Sequence, residues 1–105
     1  SFQTGAYIPT GSRIGNRVFI GPNASLTNDK TPLRTEYKLE KITVEDDATV
    51  GSNATLMPGI TVGEGAFIAG GAVVTKDVPA WHIAKGCPAV FEELPESLKK
   101  PNRLG

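Results

Sequence analysis

The sequence predicts an all-β fold wound as a stack of three-sided coils, on three observations. Large apolar residues recur every six positions over most of the chain. Ile, Val and Thr supply 25 of the 105 residues, a balance that favours extended backbone. Glycine follows the apolar anchor at Gly15, Gly21, Gly51 and Gly63, where a short strand would have to turn.

The six-residue register runs through Phe2, Ile8, Ile14, Ile20 and Leu26, and resumes at Val44, Val50, Leu56, Val62, Ile68 and Val74. Four residues after most anchors stands a small or β-branched side chain, including Ala24, Ala48, Ala54, Ala66 and Ala72. A helix needs apolar residues three and four apart, and an ordinary half-buried strand alternates by two; neither gives a period of six. A chain that makes a short strand, turns and repeats on the next face of a prism does. Three hexads then close one coil of about 18 residues, and stacked coils share a core that none could bury alone.

Between Leu26 and Val44 the anchor positions would fall on Pro32 and Lys38. A proline has no amide for the ladder, and a lysine inside an apolar prism would be an unpaired buried charge. Residues 28–41 are therefore expected to leave the prism as an external loop, of a length that is usually functional or disordered. The pulse ends near Val78. Trp81, Ile83, Pro88, Val90 and Phe91 are expected to cap the last coil, giving a β-helical unit over 1–91. Residues 92–105 follow as a tail, with a short helix expected between Glu92 and Lys100.

Composition narrows the function. Eleven basic residues balance eleven acidic ones, so there is no field to draw a nucleic acid or an anionic membrane surface. No apolar run reaches the length of a membrane span, and the N-terminus has no charged-then-apolar leader pattern. One cysteine points to a reducing, cytoplasmic setting, and one histidine with one cysteine cannot build the usual zinc cages. The chain opens at Ser1 without a methionine, as a partial chain would.

Stretches such as Ile14-Gly-Asn-Arg-Val-Phe-Ile20-Gly-Pro-Asn-Ala-Ser resemble the hexapeptide-repeat family, and that likeness implies a left-handed parallel β-helix. Two further segments resemble the bacterial acyltransferases of that family, most nearly those acting on sugars and sugar nucleotides. One is Leu26-Thr-Asn-Asp-Lys-Thr-Pro-Leu-Arg34. The other is Ile68-Ala-Gly-Gly-Ala-Val-Val-Thr-Lys-Asp-Val-Pro79 with Gly86-Cys-Pro-Ala89. The resemblance implies acetyl-CoA as acyl donor, a homotrimer with the donor between neighbouring prisms, and an amino or hydroxyl group of a sugar as acceptor.

Carried over position by position, Ser52 and Gly70 would meet the pantetheine arm, with Lys76 and Lys85 near the phosphates. Asn28 and Asp29 would be catalytic, and Lys30 and Arg34 would bind an anionic part of the substrate. Amine acylation needs little more than proton acceptance and orientation, which an Asp and an Asn supply. There are departures. Relatives often place a basic residue after the Gly-x-Pro-Ala segment, where this chain has Val90 and then Glu92 and Glu93. Many use a histidine near the loop, whereas His82 lies in the closing turn and reads as structural. These departures keep a rival open, a non-catalytic β-helix that binds a ligand or partner.

Overall fold

The computed structural model describes residues 5, 6, 8, 11–26 and 41–103. Nine two-residue strands form three coils: β1 (Arg13–Ile14), β2 (Phe19–Ile20) and β3 (Ser25–Leu26); β4 (Thr43–Val44), β5 (Thr49–Val50) and β6 (Thr55–Leu56); β7 (Thr61–Val62), β8 (Phe67–Ile68) and β9 (Val73–Val74). In each strand the first side chain points outward and the second enters the prism. The anchors from Ile20 to Val74 are almost completely buried, and Ile14 is partly so. Each fully buried aliphatic side chain contributes about 1.5–3 kcal/mol over leaving it in water.

Equivalent strands of successive coils pair in parallel, giving faces of order β1-β4-β7, β2-β5-β8 and β3-β6-β9. From the second coil to the third the paired residues are one coil apart, Thr43 with Thr61 and Thr55 with Val73. From the first to the second the step is longer: Arg13 pairs with Thr43 and Ser25 with Thr55. The coils on either side of residues 27–40 therefore stack directly, with no rung between them. Phe2 and most of the expected loop lie outside the described residues.

Tight stacking at the corners explains the glycine after the anchor. A Cβ on Gly51 would come within 2.6 Å of the Gly70 amide nitrogen. The opposite partner of the turn is a backbone with positive φ just before the small residue: Arg17, Asn23, Asp47 and Asn53 all lie between 54° and 61°. Asn and Asp tolerate that region better than most side chains.

The cap differs in detail from the expectation. Val78 bridges to Val62, and Ala84 on β10 (His82–Lys85) stacks over Ile68, so a step two residues shorter than a regular coil sets small-register residues on top of the anchors. Ala84 is the buried residue of β10, whereas Ile83 is only half-buried and pairs with outward Phe67. β11 (Val90–Glu93) runs antiparallel to β10. Phe91 packs against the core, but Val90 is 60% exposed and caps nothing, because alternation on β11 turns it outward. The strand carries past residue 91 to Glu93. Among the described residues, helical structure in the tail is a single 3-10 turn, Glu96–Leu98, after Pro95.

Candidate functional site

Three of the residues singled out from sequence stack along one corner of the prism. Ser52 and Gly70 occupy the same corner of successive coils, and the Gly71 amide donates to the Ser52 carbonyl at 2.9 Å. Lys85 lies on the next rung, since its neighbours Ala84 and Gly86 accept from the amides of Ala69 and Val73. Adjacent rungs of such a ladder are about 4.8 Å apart. The corner is therefore a vertical ledge, exposed along its length.

Gly70 on this ledge is not required by packing. A Cβ there would meet the Ser52 carbonyl at 3.4 Å and nothing closer, and its φ is not positive. The contrast with Gly51 is sharp, because Gly51 has the neighbouring coil against it. A glycine that neither strain nor packing demands leaves main chain open to a ligand. This corner has room for an extended chain to lie against backbone groups.

Lys85 carries an ion pair to Glu92 at 3.1 Å, with both side chains about half exposed. Pairs of that kind contribute about 1 kcal/mol or less, so an arriving phosphate can displace the carboxylate. Lys76 stands apart, beyond the other end of β9, in a groove of 460 Å³ bordered by Met57, Gly59 and Ile60. Among the described residues it has no acidic partner. Its neighbour Asp77 turns to accept the Thr61 amide at 2.8 Å instead. Ser52, Gly70 and Lys85 are thus brought together, and Lys76 is separated from them by one side of the prism. Asn28, Asp29, Lys30 and Arg34 lie outside the described residues.

His82 Nδ1 is 2.8 Å from the Ala80 carbonyl oxygen, a local turn contact in keeping with a structural role. Cys87 is exposed in the turn over β9. The Trp81 ring lies over Gly65, where a Cβ would collide with it, so this tryptophan packs on the corner.

Sequence reasoning missed Asp47, the one buried charged residue among the described residues. Arg17 grips it with two donors, Nε to Oδ1 at 2.7 Å and Nη2 to Oδ2 at 3.1 Å. That fork, with help from the Asn102 amide, holds the Asp47 carboxyl below its ordinary value despite burial, and holds the Arg17 guanidinium above its own. A signal was present: Arg17 and Asp47 each precede the small residue of a hexad.

Comparison with known proteins places this scaffold. The family described as bacterial transferase hexapeptide (six repeats) matches residues 41–76, the second and third coils. Residues 41–76 are thus a hexapeptide-repeat segment of the kind found in those transferases. The chain's fold is the left-handed parallel β-helix of that family. A Schizosaccharomyces pombe protein whose name calls it a candidate acetyltransferase is 39% identical over 84 residues, 72% of this chain and 40% of its own length. A 2,3,4,5-tetrahydropyridine-2,6-dicarboxylate N-acetyltransferase of Staphylococcus aureus is 39% identical over 75 residues, 71% of this chain and 30% of its own length. A galactoside acetyltransferase solved in complex with coenzyme A superposes with a TM-score of 0.77 at 27% identity, over 95% of this chain and 56% of that one. The chain spans 40% and 30% of the length of these two curated relatives.

Proposed function

We propose that this chain is the β-helical body of an acetyl-CoA-dependent acyltransferase that acylates an amino or hydroxyl group of a sugar, with a nucleotide-linked sugar as the finer expectation. The observation that carries the reading is the open ledge at Ser52 and Gly70, whose glycine the fold does not need. Support comes from the relatives: two carry acetyltransferase activity in their names, and one was solved with coenzyme A. The sugar assignment draws on the galactoside enzyme, and amine acylation on the N-acetyltransferase.

When bound, acetyl-CoA supplies an acetyl group activated as a thioester. The chain's part is to hold the donor arm against Ser52 and Gly70, with Lys85 and Lys76 as the cations available to its phosphates. Asp29 would take the proton released as the acceptor's nitrogen or oxygen bonds to the acyl carbon, the carbon–sulfur bond breaking and coenzyme A leaving as its thiol; Asn28 would orient the acceptor. Lys30 and Arg34 bind an anionic group of the substrate. An amine is the better acceptor for a site without histidine, since its neutral form already attacks. The setting is cytoplasmic, in keeping with the lone, exposed Cys87 thiol.

The test is free-thiol release from acetyl-CoA against a panel of amino sugars and sugars, each with and without a nucleotide. One acceptor class should support turnover, and Asp29→Asn should lower kcat about 10²-fold with coenzyme A binding unchanged. No thiol release with any acceptor, in protein that binds no coenzyme A, would overturn the enzymatic reading. Unchanged kcat in both Asp29→Asn and Asn28→Ala would remove those two residues from the chemistry.

A further inference from the structure

The tail after β11 does not simply leave the prism. It returns along the corner from the cap to the first coil. At its start Leu94 is buried, and its amide donates to the Trp81 carbonyl at 3.0 Å. At its end Asn102 makes four polar contacts. Its amide donates to Asp47 Oδ1 at 3.0 Å, and its Nδ2 donates to the carbonyls of Arg17 at 2.8 Å and Ala48 at 3.2 Å. The Thr49 hydroxyl donates to its Oδ1 at 3.4 Å.

The span between these ends is loosely seated. A cavity of 190 Å³ lies beneath it, bordered by Thr49, Phe67, Leu94 and Leu98. The 3-10 turn in this stretch is pinned by Lys99, which donates to Glu93 and Glu96. The segment is thus a strap fastened at its two ends, with little packing in between.

Its far fastening lies at the junction of the first and second coils. Among the described residues the first coil is paired on one side only, to the second. The chain linking those two coils is also longer than the regular step, and a longer link constrains the coil less. Asp47 belongs to the second coil, Arg17 to the first, and Asn102 binds groups of both.

We propose that residues 94–102 are a clasp that fastens the first coil to the rest of the prism, and that this coil opens as a unit when the clasp is released. The inference stands on the strap's contacts and is independent of the enzymatic reading. The Arg17–Asp47 fork supplies the charge, and Asn102 reads the resulting corner through the Asp47 carboxylate and two carbonyls.

Native-state amide hydrogen exchange of the full chain tests this. The amides of Gly15, Gly21 and Ser25 donate from the first coil to the second, at Val44, Val50 and Ala54, and none of the three touches Asn102. Those of Glu45, Gly51 and Thr55 donate from the second coil to the third, at Val62, Ile68 and Ala72, and none of these touches Asn102 either. In Asn102→Ala the first set should exchange about tenfold faster or more, while the second set stays within about twofold. Asp47→Asn should give the same pattern; if it does not fold, Asn102→Ala decides alone. Equal acceleration of both sets, or no acceleration of the first, would overturn the clasp.

Discussion

Asp47 is buried with its charge, and its surroundings explain why this is tolerated. The Arg17 fork and the Asn102 amide satisfy both carboxylate oxygens, so desolvation is offset by charge-assisted hydrogen bonds. The same contacts hold its folded carboxyl below the ordinary value of 3.8. A carboxyl lowered on folding binds fewer protons in the native state than in the unfolded chain over that window. Its contribution is therefore complete above the unfolded value, and is lost as pH falls through the lower, folded one. Acid unfolding followed by circular dichroism should show part of its limb below about pH 4 from this group. Asp47→Asn should be less stable than the native chain at pH 7, and the gap should narrow steadily on acidification. A gap independent of pH between 7 and 2 would show that the carboxylate's charge contributes nothing.

At the scale of elements, two glycines on successive coils have opposite reasons for being there. Gly51 supports the stack, because a side chain would strike the Gly70 backbone; Gly70 has room beside it. Gly51→Ala should accordingly lower the melting temperature by several degrees, as overpacking against backbone costs about 1–3 kcal/mol. Gly70→Leu should melt like the native chain yet lose coenzyme A binding by titration calorimetry. Normal binding by Gly70→Leu would move the donor site off this corner. The hexad register was legible in the sequence because one face of each two-residue strand must be buried, and Ile20 to Val74 obey that rule without exception across the described coils. The corner itself was half legible: Ser52 and Gly70 came together as expected, since a coil of regular length brings residues 18 apart into contact. Asn102 was not legible. It belongs to no repeat, and its partners Arg17 and Ala48 are brought together only by the stacked coils. The outward direction of Val90 was equally hidden, because hairpin pairing with β10, and not the hexad, sets its face.

At the scale of the whole molecule, the corner proposed for the donor is a ledge and not a pocket. One prism offers a line of main chain at Ser52, Gly70 and Lys85 with solvent on its other side. Ligand sites that hold an extended molecule firmly bury most of its surface, so a ledge needs an opposing wall. A second copy of the chain is the simplest source, and closed symmetry then favours a ring of identical contacts. The expected assembly is a homotrimer, with a light-scattering mass about three times the 11.1 kDa of the chain. If the wall comes from the neighbour, donor binding and assembly are linked by mass action. Coenzyme A should then shift the monomer–trimer balance toward trimer, and its apparent affinity should fall on dilution below the assembly midpoint. Gly70→Leu separates the two effects: it should still assemble without ligand, but coenzyme A should no longer tighten the trimer. A monomer that binds coenzyme A as tightly at nanomolar as at micromolar chain concentration would show that one prism is enough, and the opposing wall would have to come from the chain itself.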